Sequence, residues 1–169
     1  MARVADAEAT GMRRAAALVI AGLALSAGAS SVHARGAGAT RAVESQVNDI
    51  RAAHGCGPLR MHVGLARAAR KQAHLLLAEG RLDHNAGTPF AERLQSAAPA
   101  AHMLGEDLAY GTGRAALPSA IVQSWMNSPP HRSVLLDCRF SDIGVGIATG
   151  TFGSRGYGTV YTADFAAFD

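Results

Sequence analysis

Apolar residues recur along this chain in two rhythms, and the change from one to the other divides it. Val43, Val47 and Ile50 return at helical spacing, with Glu44, Gln46, Asn48, Asp49 and Arg51 between them. That pattern predicts an amphipathic first helix with Arg51 among its polar positions. Gly55-Cys56-Gly57-Pro58 ends it, because glycine permits a left-handed cap and proline forbids continuation. Leu65, Ala69, Ala73 and Leu76 form a second stripe, with Arg67, Arg70 and Lys71 on the wet side and Gly80 as the stop. Thr88 and Pro89 read as the N-cap and first position of a third helix over 90–97, with Phe90 and Leu94 turned inward. Pro118 opens a fourth helix, whose inner face holds Ile121, Val122, Trp125 and Met126. The double proline Pro129-Pro130 is expected to stop it.

Beyond residue 139 the rhythm shortens to two. Val145 and Ile147 alternate with Gly144 and Gly146, and Val160 sits between Thr159 and Tyr161. These stretches, 140–149 and 157–165, predict two strands joined through a turn over 150–156, an antiparallel hairpin. Helices first and strands afterwards, without alternation, point to an α+β layered fold.

The first residues follow neither rhythm. Met12-Arg13-Arg14 is a short basic stretch, 15–27 is an unbroken run of small and apolar residues, and Val32-His33-Ala34 places small residues before a break at Arg35. That is the layout of a secretory signal peptide, with an uncleaved N-terminal anchor as the alternative. The run is short and alanine-rich for a membrane span. Asp6 and Glu8 are out of character for such a leader, so a translation start at Met12 fits better. Residues 35–42 are expected to form a flexible start, since Arg35 to Thr40 is rich in glycine and alanine.

Setting aside Arg3, Arg13, Arg14, Asp6 and Glu8 leaves 13 basic and 11 acidic residues from Arg35 onward. A nearly neutral mature part without a basic cluster argues against nucleic acid as a partner. Cys56 and Cys138 are the two cysteines. An even count in an exported chain favours a disulfide, and buried thiols are the alternative. No CxxC spacing marks a zinc site.

Three polar groups stand in turn-like contexts: His84 in Leu82-Asp83-His84-Asn85, Glu106 in Leu104-Gly105-Glu106-Asp107, and His131 after the double proline. We expect these three regions to converge on one cleft. Two imidazoles and a carboxylate suit a divalent cation, zinc above others, and a carboxylate also orients an imidazole by accepting its N–H. In a catalytic reading His84 or His131 is the general base and Glu106 orients it or helps hold the cation. Each histidine equally fits a structural role at an element end. Ser124, Ser128 and Ser133 lie near His131, yet no Gly-x-Ser-x-Gly elbow marks a nucleophile. Gly144-Val145-Gly146 lacks the helix of a phosphate loop, and its glycines fit close backbone approach.

Taken in order, several segments resemble the bacterial secreted branch of the CAP superfamily, named for cysteine-rich secretory proteins, antigen 5 and pathogenesis-related 1 proteins. They are Asp83-His84-Asn85, Thr88-Pro89-Phe90-Ala91-Glu92-Arg93, Gly105-Glu106-Asp107-Leu108-Ala109, Trp125-Met126-Asn127-Ser128-Pro129-Pro130-His131-Arg132 and Phe140-Ser141-Asp142-Ile143-Gly144-Val145-Gly146. The resemblance implies a three-layer α-β-α sandwich over 43–169, with a central antiparallel sheet and a third strand near Glu106. It implies a cleft with His84, Glu106 and His131 at family positions, which in some members binds divalent metal. The family's second glutamate falls on Ser128. Asp107 stands where asparagine is commoner, adds charge near the cleft and partly replaces the missing carboxylate. The implied function is a secreted or periplasmic, envelope-associated module that binds metal or a small apolar or lipid-like ligand. It is monomeric and does not span the membrane once mature. A metal-assisted hydrolase or peptidase is the alternative.

Overall fold

The computed structural model describes residues 37–168, so the signal-peptide reading lies outside them. Helix α1 covers 37–53, and the described part of the stretch expected to be loose is therefore already helical. After it come β1 (Arg60–Met61), α2 (Val63–Glu79), α3 (Phe90–Ala97) and β2 (Met103–Gly111). The chain continues through α4 (Pro118–Asn127), α5 (Pro129–Leu135), β3 (Asp142–Thr151) and β4 (Tyr157–Ala167). Strand order is β1-β3-β4-β2. β4 runs antiparallel to both β3 and β2, whereas the two-residue β1 lies parallel to β3. The third strand implied near Glu106 is β2, and the hairpin is β3–β4.

Alternation along the strands sorts the layers. Val145, Tyr161, Ala163 and Phe165 face α1, α4 and α5, packing with Val43, Val47, Ile121 and Trp125. On the other face Ala148 and Val160 meet Ala73 and Leu76 of α2, and Ala166 meets Leu65 and Leu94. This is the expected α-β-α sandwich. β4 is covered on both sides, which explains its long apolar run. Gly144 and Gly146 let α2 lie against β3: a Cβ at either position would overlap the α2 backbone at Leu65–Ala66 or Ala69–Arg70. Gly80 ends α2 in the left-handed conformation, at φ 67°.

Three local expectations are corrected. Thr88 does not cap α3: Pro89 holds the cap position, and the first helical N–H, of Phe90, donates to Asn85 Oδ1 at 3.1 Å. Pro129-Pro130 ends α4 and also opens α5, because a proline lacks only a donor that the first turn leaves unused. Arg51 is not on the wet side of α1 but is fully buried. Position 51 lies one turn beyond Val47 and so continues the inward stripe. Its guanidinium donates to four carbonyls: Nε to Gly57 (3.1 Å), Nη1 to Leu135 and Asp137 (both 2.9 Å), and Nη2 to Phe140 (3.0 Å). The Cys56–Cys138 disulfide closes the same junction, with Cα atoms 4.9 Å apart across 82 positions. A loop of that length is worth about 4 kcal/mol in the chain-entropy account.

Arg51 generates a prediction. In Arg51→Met the Gly57, Leu135 and Phe140 carbonyls lose their donor, so urea unfolding should show a loss of about 3 kcal/mol. Arg70→Met, on the exposed side of α2, should stay within about 0.5 kcal/mol of the parent. Equal midpoints for both variants would refute the clamp.

Candidate functional site

Four side chains with no apolar role gather around β2, an edge strand of the sheet. Each is placed by a specific local device. Gln72, buried on α2, donates its amide to Asp83 O at 3.3 Å and so ties the loop after α2 to the helix. Asp83 Oδ1 accepts from the Asn85 N–H at 2.9 Å, a side-chain turn that folds the loop around His84. Arg81 holds the other Asp83 oxygen at 2.5 Å. The flanks of His84 are thus fixed by their own side chains, and the imidazole swings inward toward the strand.

There it meets Glu106. His84 Nδ1 lies 2.7 Å from Glu106 Oε1. A carboxylate only accepts, so the ring carries its proton on Nδ1. Glu106 Oε2 is paired with Arg93 Nη2 from α3. Arg93 also donates from Nη1 to His84 O at 3.1 Å, closing a three-residue ring. The Glu106 carboxylate is sealed from solvent, whereas the His84 side chain is half exposed. The Glu106 hydrogen bond raises the His84 pKa above its ordinary value, and partial burial opposes that.

His131 comes from the first turn of α5, at intermediate burial. Its pKa is lowered, chiefly by burial and then by the positive charge of His84. The two rings therefore sense one another, and no hydrogen bond joins His131 to His84 or Glu106 among the described residues. The structure brings His84 and Glu106 into direct contact and leaves His131 facing them electrostatically. Ser124 and Ser133 donate to the Ile121 and Pro130 carbonyls, each satisfied within its own helix.

Adjacent strand positions point to opposite faces, so Asp107 turns away from Glu106 toward the α4–α5 side. It is fully buried, and neither of its oxygens has a hydrogen-bond partner in the structure. It lies beside the site without reaching solvent. Across the sheet, Asp164 pairs in register with Glu106. Burial first and the Glu106 charge second push the Asp164 pKa well above the usual carboxylate range.

Arg93 and Asp164 carry the site's electrostatics, and sequence reasoning gave neither a role. For Asp164 a signal was present: an acid inside Thr162-Ala163-Asp164-Phe165, an otherwise apolar central strand, is a paired or neutral group. Arg93 stood in the short helix between the two flagged segments. His62 caps α2 by accepting the Leu65 N–H at 3.2 Å and stacks on Phe168.

Both oxygens of Glu106 are engaged, so in this arrangement the glutamate orients His84 rather than standing ready as a ligand. Among the described residues no group of three or more His, Cys, Asp or Glu side chains is arranged to hold a metal ion. His84 and His131 are the two imidazoles of the site, and Glu106 fixes the ring of the first from behind.

Comparison with known proteins adds the following. The CAP family, cysteine-rich secretory proteins, matches residues 44–165. The uncharacterized protein YkwD of Bacillus subtilis (strain 168) is 31% identical over 102 residues, which cover 59% of this chain and 38% of YkwD. This chain therefore spans about two fifths of that relative. An extracellular protein of Bacillus anthracis str. Ames containing an SCP domain superimposes with a TM-score of 0.64 at 24% identity, over 77% of this chain and 40% of that one. An outer surface protein of Borrelia burgdorferi gives 0.62 at 20% identity, over 75% and 90%. At these identities the superpositions show a shared fold.

The buried acid beside the site sets a pH dependence. Burial, and then the charge of Glu106, push the Asp107 carboxyl from its ordinary 3.8 up to about 8. A raised carboxyl pKa means that the folded state holds the proton more tightly. Its stabilisation is complete below about pH 4 and is lost as pH rises to about 8. Asp107→Asn removes this titration. Urea unfolding across that range should show the variant gaining on the parent by a few kcal/mol, with no further gain at higher pH. Parallel curves would mean that Asp107 is ionised and solvated in the native protein.

Proposed function

The chain belongs to the CAP family of cysteine-rich secretory proteins, and on that footing we propose that it is an exported binding module whose histidine cleft takes up a divalent cation, zinc foremost. The observation that carries this reading is the His84–Glu106–Arg93 ring. It fixes the proton of His84 on Nδ1 and turns Nε2 outward from the pair, as a metal-binding imidazole requires. His131 supplies the second imidazole, and water completes the coordination. A bound zinc ion would supply Lewis acidity at the cleft. The protein's own residues hold the ring, exclude solvent from Glu106 and fix the tautomer.

Export is supported by the descriptions of two fold relatives, one extracellular and one on an outer surface. No described helix is long and apolar enough to cross a membrane. A lipid-like ligand, the other partner expected from the family resemblance, has no comparable set of placed groups behind it. The hydrolytic alternative needs an activated water or a hydroxyl beside the rings. Ser124 and Ser133 are turned to carbonyls of their own helices.

Isothermal titration of the full chain with zinc tests the proposal. We expect one saturable site, weakened about tenfold or more by His84→Ala and by His131→Ala, and by a smaller factor in Glu106→Gln, where only the support of His84 is lost. Zinc binding unchanged in the double histidine variant would refute it.

A further inference from the structure

A second concavity lies on the far side of Arg93, between α2 and α3. It has a volume of about 790 Å³, within the range of small-molecule sites. Its α2 wall carries Arg67 and Lys71, one turn apart and both exposed. Neither is paired with a carboxylate among the described residues. Arg93 borders it from α3; that side chain is nine-tenths buried, and its Nε has no hydrogen-bond partner in the structure. Glu92 is the lone acid on the lining, and Arg93 is already balanced by Glu106, so the free charge of the pocket is positive. Ala68, Leu75 and Ala97 give the same space an apolar side.

Two exposed cations one turn apart on a pocket wall repel each other mildly, and an anion held between them removes that repulsion. An oxyanion is the fitting partner: its oxygens accept from the fork of Arg67 and the ammonium of Lys71 together. We propose that this pocket is a ligand site separate from the histidine cleft. It takes a small molecule bearing a carboxylate or a phosphate, gripped by Arg67 and Lys71 with its carbon part against Leu75, Ala68 and Ala97. The proposal is independent of zinc and stands or falls separately from it.

The test is two-dimensional ¹H–¹⁵N NMR of the full chain, titrated with inorganic phosphate and separately with acetate, each against chloride at matched ionic strength. The expected result is saturable shifts at amides of α2 and α3 around the pocket. Affinity should fall about tenfold or more in the Arg67→Glu/Lys71→Glu variant. A stronger response to phosphate assigns a phosphoryl ligand, and a stronger response to acetate assigns a carboxylate. Arg67→Gln/Lys71→Gln, neutral and compatible with the helix, is the second variant should charge reversal disturb folding. Shifts no larger than those with chloride, or an affinity unchanged in either variant, overturn the proposal.

Discussion

A buried guanidinium holds this fold together at its least regular junction. Arg51 has no carboxylate in its grip; it is satisfied by backbone carbonyls at residues 57, 135, 137 and 140. Those carbonyls belong to the turn after α1, the end of α5 and the link into β3. The Gly57, Leu135 and Phe140 carbonyls there have no backbone donor of their own among the described residues. One fork of donors satisfies all of them, and the Cys56–Cys138 bond closes the same corner covalently. The two devices divide the work. The disulfide limits how far the unfolded chain can expand, while Arg51 fixes the geometry of the folded corner. Because α5 ends at this corner, the clamp also sets where its first turn, and with it His131, comes to rest.

The opposite wall of the site depends on a different constraint. α2 lies so close to β3 that Gly144 and Gly146 are needed under it. From that helix Gln72 reaches the loop that follows and holds it by its carbonyls. His84 is therefore positioned by a chain of dependencies: flat glycine strand, close helix, tethered loop, inward ring. The two histidines are set by separate halves of the sandwich, one on each side of the β2 edge. Binding at this site would join the layers across the edge.

The electrostatics around β2 are unusual for a protein interior. Glu106, Asp107 and Asp164 are all buried, and Arg93 pairs with Glu106. Three ionised carboxylates cannot coexist there at such low polarisability. Burial raises the carboxyl pKa of Asp107, to about 8, and that of Asp164 well above the usual range, whereas Glu106 has both Arg93 and His84 as partners. Glu106 is thus a dedicated second partner for His84. This gives the cleft one oriented imidazole backed by a buried charge and a second, His131, held toward its neutral form.

Much of this was legible from local pattern. Val43, Val47 and Ile50, the α2 stripe and the α4 face each announced a helix, and the shift to period two announced β3 and β4, because burial of one face leaves a periodic trace. Cys56 and Cys138, and the candidate trio His84, Glu106 and His131, stood out by residue type and punctuation. β2 was implied only through resemblance, since Gly105 and the acids Glu106 and Asp107 break any alternation. The chain alone determined helices α1 to α4 and the hairpin β3–β4, and it singled out His84, Glu106 and His131 as candidates. The tertiary structure alone decided that Arg51 points inward, that Arg93 pairs with one oxygen of Glu106, and which layers of the sandwich Glu106 and Asp107 face. Those outcomes depend on residues 13 to 89 positions apart meeting in space, and a polar side chain's partner leaves no period in the sequence that supplies it.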